Sequence, residues 1–246
     1  MIYLTGDTHG YINLYKLNTP EFKNKIKAND YLIILGDFGG LFYGDEYVET
    51  PSSFPTFLNP QNLKVINRDK LVINWLKEQP YTILFIDGNH ENFTLLNNYP
   101  IEQWNGGSVH YFADNIIHLM RGQIFTIEGY DFFTMGGAES PDRGEFDKNW
   151  WPEELPSWEE CNQAINKLEE HNWTVDFILT HCLPDNLIPY YYKHNIITNL
   201  LFSIDKQTTF KHWYCGHYHI NEEKTQKHTI LQDKIIDING NIIWEP

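Results

Sequence analysis

The chain has 246 residues, and with 41% hydrophobic and 15% aromatic content it can form the core of one domain. Its formal net charge of −15 disfavours extended binding along DNA or RNA, because such a field repels polyanions. No apolar run approaches the ~20 residues of a membrane span, and the first residues already read as a strand, so a cytoplasmic location is expected.

Cys161, Cys182 and Cys215 lack metal-finger spacing and are predicted to be buried thiols. The sequence does not determine an oligomeric state.

Short apolar runs rich in Ile, Leu, Val, Phe and Tyr have the composition of buried strands. They are Met1–Thr5, Tyr31–Leu35, Thr82–Ile86, Val175–Leu179 and Trp213–Cys215. Helical spacing and capping signals predict helices over Lys70–Glu78, residues 158–170 and Ile196–Ser203. Turn signals predict two hairpins, one joining Ile124–Ile127 to Asp131–Met135 and one joining Ile235–Ile238 to Asn241–Trp244. This mixture indicates two sheets with helices outside them.

Each of the five apolar runs ends in a cluster of polar residues. The clusters are Gly6-Asp7-Thr8-His9-Gly10, Gly36-Asp37, Gly88-Asn89-His90-Glu91, Thr180-His181 and Gly216-His217-Tyr218-His219. Loops that leave the carboxyl ends of neighbouring strands converge at one edge of a sheet. We therefore expect one pocket to gather all five clusters.

The donors in these clusters suit two metal ions. They comprise two carboxylates, one amide oxygen and four imidazoles, from Asp7, His9, Asp37, Asn89, His181, His217 and His219. Seven ligands are too many for one tetrahedral ion and fit two divalent ions that share a bridging carboxylate. Mixed nitrogen and oxygen donors favour Mn²⁺, with Fe or Zn as alternatives, over Mg or Ca. Two cations roughly 3.5–4 Å apart can clamp an in-line displacement at phosphorus, which predicts phosphate-ester hydrolysis.

Taken in order, the clusters resemble the calcineurin-like metallophosphoesterase superfamily. Its pattern is Asp-x-His, Gly-Asp-x-x-Asp, Gly-Asn-His-Asp/Glu, a lone His and Gly-His-x-His, and the match runs from Asp7 to His219. The resemblance implies an α/β fold (α+β by some schemes), a four-layer α-β-β-α sandwich of two mixed sheets with the metal site at the carboxyl-terminal edge of the strands. It also implies one metal on Asp7, His9, Asp37 and His219, and a second on Asp37, Asn89, His181 and His217.

In that assignment Asp37 is the bridging ligand. His90 lies beside a ligand and resembles the general acid that protonates the leaving oxygen, a task that suits an imidazole near neutral pH. One departure from the family pattern concerns the second motif, which reads Gly36-Asp37-Phe38-Gly39-Gly40-Leu41 instead of Gly-Asp-x-x-Asp followed by Arg. His90 must then be oriented by Asp45, Asp87 or a backbone carbonyl. The paired glycines either let the backbone approach the metals or a ligand closely or form a plain tight turn.

Residues 1–246 are expected to form a single domain with two additions on the substrate side. Residues 42–63 are either a cap over the metals or a surface excursion that covers its own aromatic side chains. The second addition, a loop over residues 136–156, contains Arg143, which is either a phosphate fork or a solvated arginine; the same alternatives apply to Arg121. Tyr190, Tyr191 and Tyr192 are packing residues or a platform for a base, and His194 is a candidate for the pocket rim.

The leading function is a dimetal hydrolase of phosphate esters, with a small phosphorylated molecule or nucleotide as substrate. Because no arginine follows Gly40, a small phosphodiester is favoured, and Asn89 and Arg143 are the candidate substrate-binding residues. A phosphomonoesterase or protein phosphatase is the alternative. The rival class is a non-catalytic interaction scaffold with this fold, whose decay would appear as lost ligands, and none of the seven is lost.

Overall fold

The computed structural model describes residues 1–141 and 144–246. The strands within these residues are β1 (Ile2–Thr5), β2 (Tyr31–Ile34), β3 (Val48–Glu49), β4 (Val65–Ile66), β5 (Thr82–Phe85), β6 (Glu102–Trp104), β7 (Gly107–Ala113), β8 (Ile116–Leu119), β9 (Gln123–Ile127), β10 (Tyr130–Met135), β11 (Phe177–Thr180), β12 (His212–Cys215), β13 (Glu222–Thr225), β14 (His228–Ile230), β15 (Ile235–Asp237) and β16 (Ile242–Trp244). The α-helices are α1 (Pro20–Lys25), α2 (Arg68–Lys77), α3 (Phe93–Leu96), α4 (Trp158–Glu170) and α5 (Ile196–Gln207).

Two mixed sheets carry the fold. The first has eight strands in the order β16-β15-β1-β2-β5-β8-β7-β6, and β1, β2, β5 and β8 are parallel. The second has six strands in the order β13-β14-β12-β11-β10-β9, and β10, β11, β12 and β14 are parallel. The five apolar runs predicted as strands are β1, β2, β5, β11 and β12. All of them lie in the parallel part of a sheet, so their carboxyl ends meet at one edge.

Alternation of side chains along the strands builds the layers. In β1, Leu4 packs into a cluster between the sheets, whereas Tyr3 packs on the outer face with Phe22 of α1. The inner cluster joins residues of both sheets, such as Leu84 of β5 and Leu179 of β11. Helices α1 and α2 cover the outer face of the first sheet, and α4 and α5 cover that of the second. The predicted α-β-β-α sandwich is confirmed.

Local signals place the helix ends. A capping box at Ser157 begins α4, as predicted, with Ser157 Oγ accepting from the Glu160 amide at 3.1 Å. Helix α2 begins at Arg68, two residues earlier than expected, because Asn67 Oδ1 accepts from the Lys70 amide at 2.8 Å. Helix α5 continues past the predicted end, since Ile204 is buried in the outer cluster. Within the described ranges no helix combines the length and apolar character needed to cross a membrane. The three cysteines are buried free thiols, as expected.

The segment 42–63 is anchored at its start and in its middle. Asp69 Oδ2 accepts from the amides of Phe42, Tyr43 and Gly44 at 2.8, 2.7 and 2.7 Å, which ties its start to α2. Further along, Phe54 is buried with its ring 4.8 Å from that of Tyr11, and β3 pairs with β4. Its role as a cap over a substrate stays a prediction.

Candidate metal centre

Four side chains from three loops converge where the strands end. Asp7 and His9 follow β1, Asp37 follows β2, and His219 follows β12 of the other sheet. Each of them offers one ligand atom, and these atoms all lie within 4.8 Å of one another. The cluster therefore sits between the carboxyl-terminal edges of the two sheets, where the sequence predicted it.

The two carboxylates of this cluster are buried and incompletely partnered. Asp7 Oδ2 and Asp37 Oδ2 accept no hydrogen bond from any residue that the structure describes. They face imidazole nitrogens instead, His219 Nε2 at 3.3 Å from Asp7 Oδ2 and His9 Nε2 at 3.2 Å from Asp37 Oδ2. Burying carboxylate oxygens without donors is costly unless a positive charge lies between them. Oxygen and imidazole donors arranged in this way fit a divalent cation.

A second group of side chains lies on the other side of Asp37. His181 Nε2 is 3.3 Å from Asp37 Oδ1 and 3.2 Å from Asn89 Oδ1, and its ring centre is 5.0 Å from that of His217. His181 Nδ1 donates to the Leu35 carbonyl at 2.7 Å, which fixes the ring so that Nε2 points at the cluster. The two oxygens of Asp37 therefore face two different sets of donors.

The electrostatics of the cluster follow from burial and close charges. Burial works against ionisation of Asp37, but His181 and His9 hold its pKa well below the usual range. Burial also lowers the pKa of His181, yet the carboxylates of Asp37 and Asp7 outweigh burial and raise it to about 10. A cation that binds here must displace that proton, so binding should release protons. Burial lowers the pKa of His217 to about 3, which keeps this ring neutral, as a ligand requires.

The backbone of the cluster is strained. His9, Asp37, His217 and His219 have φ values of 45°, 46°, 69° and 53°, in the left-handed region that side chains with a Cβ rarely adopt. Each such residue costs on the order of 1–3 kcal/mol and persists where the surrounding structure fixes it. Strain concentrated at four of the seven candidate ligands indicates that the loops are built to hold them in position.

Paired glycines allow two ligand loops to pack together. A Cβ on Gly39 (φ 61°) would lie 2.5 Å from the Gly10 nitrogen, and one on Gly10 (φ 60°) would lie 2.6 Å from the Gly39 carbonyl oxygen. The second loop therefore lies against the backbone that carries His9. A close approach of the paired glycines to the metals or a ligand stays a prediction. A Cβ on Gly40 would lie 2.4 Å from the buried ring of Phe38, so this loop has no room for the family's second Asp.

His90 lies against the cluster without being part of it. Its backbone amide donates to Asp37 Oδ1 at 2.7 Å, and its ring centre is 5.6 Å from that of His9. Burial lowers the pKa of His90, so its protonated form is a stronger acid than an ordinary imidazolium but less abundant at neutral pH. The prediction that Asp45 or Asp87 orients this ring is wrong. Asp45 binds Lys70, and Asp87 binds Arg121 and His118.

Three buried ionisable residues outside the predicted ligand set support the loops. Lys16 donates to the carbonyls of Gly6, Asp7 and Gln232 at 3.0, 2.8 and 2.7 Å. Glu91 accepts from the amides of Phe38 and Gly39 at 2.7 and 3.3 Å, and burial raises its pKa to about 8. The third is Asp69, described above. Their roles follow from the backbone groups with which they form hydrogen bonds, and these groups are not adjacent to them in sequence.

Arg121 is neither a phosphate fork nor a solvated side chain, so both alternatives in its prediction are wrong. It is buried, and its Nε and Nη2 bind Asp87 Oδ2 at 2.8 and 2.6 Å. Arg143, the other candidate, lies outside the described residues. His194 forms a hydrogen bond with Asp185 and is largely exposed, while its neighbours Lys193 and Asn195 line a pocket beside the centre.

A family model described as calcineurin-like phosphoesterase matches residues 1–221 of the chain. The chain belongs to the calcineurin-like phosphoesterase family. This match confirms the resemblance carried by the five motifs and agrees with the sandwich of two mixed sheets. Metal-dependent hydrolysis of phosphate esters is the chemistry of the family, and the cluster of Asp7, His9, Asp37 and His219 is placed to hold a metal. No curated protein sequence is significantly similar to the chain.

Proposed function

We propose that the chain is a dimetal phosphodiesterase that acts on a small diester or nucleotide. The observation that carries the proposal is the position of Asp37, whose Oδ2 lies 3.2 Å from His9 Nε2 and whose Oδ1 lies 3.3 Å from His181 Nε2. One carboxylate that faces two donor sets in this way fits a bridge between two ions.

In this proposal the seven candidate ligands divide into two sets that share Asp37. The first set is Asp7, His9, Asp37 and His219, and the second is Asp37, Asn89, His181 and His217. Their mixture of nitrogen and oxygen donors favours Mn²⁺, with Fe or Zn as alternatives. Bound there, two divalent cations supply an acidified water and neutralise charge at phosphorus.

In this proposal, side chains of the protein hold the candidate ligands in position, and one of them donates a proton to the leaving group. Asn89 Nδ2 donates to Ser140 Oγ at 3.1 Å, which turns Asn89 Oδ1 toward His181. Lys16 and Glu91 hold the backbone of the first two ligand loops. The ring of His90, next to the cluster, would protonate the oxygen of the departing alcohol, because no other imidazole outside the ligand sets contacts the cluster among the described residues.

A diester is favoured because the described residues bring no free arginine to the centre. A phosphomonoester dianion has three non-bridging oxygens, and a fork-shaped arginine is the usual partner for the charge that two cations leave uncovered. Arg121 is hydrogen-bonded to Asp87. Gly40 and Leu41 occupy the positions at which the family pattern has Asp and Arg. A diester carries one negative charge, so two cations alone can neutralise it.

A substrate panel tests the proposal. Chain loaded with Mn²⁺ is assayed against mononucleotides, cyclic nucleotides, dinucleotides and phosphopeptides, with Asp37→Asn as the inactive control. We expect the highest kcat/KM on a small diester. A phosphopeptide with a higher kcat/KM than every diester would instead establish a protein phosphatase. A chain that binds two Mn²⁺ ions and hydrolyses nothing in the panel would favour the interaction scaffold.

A further inference from the structure

A pocket of about 310 Å³ opens beside the candidate metal centre and shares a wall with it. His217 of the second ligand set forms part of that wall. Ser140 forms another part and accepts the hydrogen bond from Asn89, so the pocket lining is linked directly to a candidate ligand. One arm of an ester whose phosphate lies at the centre would therefore extend into this pocket.

Three tyrosines contribute to the lining of this pocket, which we call the tyrosine pocket. Tyr191, Tyr192 and Tyr218 all line it. The ring centre of Tyr192 lies 5.2 Å from that of His217, 4.9 Å from that of Tyr218 and 5.0 Å from that of Tyr191. These rings meet one another edge-on or tilted, and aromatic side chains that line a pocket bind flat rings by stacking.

The polar groups of the tyrosine pocket are mixed in type. Glu139, Ser140, Lys193 and Asn195 belong to its lining, and Asn195 Nδ2 donates to Glu139 Oε2 at 3.3 Å. Such a set offers both donors and acceptors and carries one charge of each sign, so it suits a ring with hydrogen-bonding edges better than a plain hydrocarbon or a second phosphate.

The size of the cavity limits the occupant. A volume of about 310 Å³ is at the lower end of the ~300–1,000 Å³ typical of small-molecule sites. It suits one nucleoside and leaves no room for a folded protein surface. Aromatic side chains, mixed polar groups and a volume that suits one nucleoside together fit a nucleobase.

We propose that the tyrosine pocket binds the nucleobase of a nucleotide whose phosphate lies at the metal centre. Tyr191 and Tyr192 stack on the base, and the polar lining contacts its edges. This inference rests on the proposed function, because the centre must hold the phosphate for the base to reach the pocket. According to this inference, the protein selects its substrate by recognising the base, and the phosphate contributes no selectivity between nucleotides.

Binding tests the proposal without turnover. Calorimetry on chain loaded with Mn²⁺ compares adenosine and uridine monophosphates with ribose 5-phosphate, which lacks a base. We expect at least one nucleotide to bind more tightly than ribose 5-phosphate. Losing a stacking platform weakens binding roughly 5- to 150-fold, so Tyr191→Leu and Tyr192→Leu should each weaken nucleotide binding by that factor and leave ribose 5-phosphate unaffected.

Matched variants separate stacking from disturbance of the centre. Tyr192→Phe keeps the ring and should bind nucleotides as the unmodified chain does. Trp158→Leu is the surface control, because Trp158 is 71% exposed and is not part of the pocket lining. Because Tyr192 contacts His217, the metal content of every variant is measured, and Tyr191→Leu, which changes a ring farther from the ligand, must give the same result.

The outcomes separate this inference from the proposed function. Equal affinity for nucleotides and ribose 5-phosphate, unchanged in both leucine variants, would overturn the tyrosine pocket even if diesters are hydrolysed. Tyrosine-dependent nucleotide binding by a chain that hydrolyses no diester would support the pocket and refute the phosphodiesterase. Hydrolysis of base-bearing diesters with a KM raised in Tyr191→Leu would support both.

Discussion

Arg121 and Asp87 form a buried forked ion pair directly behind the loop that carries Asn89. Both nitrogens of the fork bind one oxygen, Asp87 Oδ2, at 2.8 and 2.6 Å, while Asp87 Oδ1 lies 3.2 Å from His118 Nε2. Burial opposes ionisation of Asp87, yet Arg121 and His118 hold its pKa well below the usual range. The arginine therefore fixes the start of the third ligand loop and cannot contact a substrate.

The first prediction concerns this pair. Arg121→Met should lower the free energy of unfolding by about 3–5 kcal/mol, because it removes both hydrogen bonds to Oδ2 of a buried carboxylate and leaves only His118 as its partner. Adding Asp87→Asn to the same chain removes that charge and should restore part of the loss. Denaturant unfolding of both single variants and of the double variant measures the coupling. Additive losses would show that the two side chains do not depend on each other.

The second prediction concerns Lys16, whose ammonium joins three carbonyls, including that of Asp7. Lys16→Met removes all three hydrogen bonds, and an intramolecular hydrogen bond of this kind contributes about 0.5–1.5 kcal/mol. We expect lower stability and weaker Mn²⁺ binding, measured by denaturant unfolding and calorimetry. Lys25→Met is the control, since Lys25 is exposed on α1. Equal Mn²⁺ affinity in both variants would contradict a role for Lys16 in holding the first ligand loop.

The third prediction is that the purified chain binds two divalent ions and that Asp37→Asn weakens both together. The substitution removes the negative charge that both donor sets face. Elemental analysis after Mn²⁺ loading gives the stoichiometry, and titration gives the two affinities. Loss of a single ion in Asp37→Asn would show that Asp37 is not the bridge.

The fourth prediction concerns His90. His90→Ala should keep its metals and lose turnover by about 10²- to 10⁴-fold, the usual contribution of a general acid. The loss should be large for alkyl or nucleoside esters and small for an ester of an acidic phenol, whose oxygen departs without a proton. Parallel kcat measurements on both kinds of ester decide the point. Equal losses would assign His90 a positioning role instead.

The fifth prediction is a pH dependence of stability. Burial raises the pKa of Asp69 from 3.8 to about 6, and this outweighs its three amide hydrogen bonds. A carboxyl with a raised pKa holds its proton more tightly in the folded state, so its contribution to stability is present below about pH 4 and is lost as the pH rises through about 6. The difference in stability between the unmodified chain and Asp69→Asn should change across this window.

One proton bound more in the folded state corresponds to a slope of about 1.4 kcal/mol per pH unit, which sets the upper limit of that change. Asp69→Asn keeps an oxygen acceptor for the amides of segment 42–63 and cannot ionise. Urea unfolding at intervals between pH 4 and pH 7 gives both curves. Parallel curves would show that Asp69 is ionised throughout this range.

Much of the fold and of the ligand cluster was predictable from the sequence because the signals are local. Apolar runs such as Thr82–Ile86 read as strands by composition, and Ser157 marks a helix start by its spacing to Glu160. Since each ligand directly follows a strand, the parallel order of the strands was enough to predict that Asp7, Asp37 and His181 meet. The family match over residues 1–221 agrees with the predicted fold and family.

Contacts between distant residues were decided only by the tertiary structure. Glu91 binds Phe38 across 53 positions, Lys16 binds Gln232 across 216, and Arg121 binds Asp87 across 34. A charged side chain has the same local pattern whether it is solvated or buried, so its sequence neighbours cannot predict which partner it meets. Tyr192 likewise lines the pocket because it packs against His217, which follows β12. The sequence determined the strands and the candidate ligands that follow them. Packing determined which ionisable side chains hold those candidates in place and which residues lie next to them.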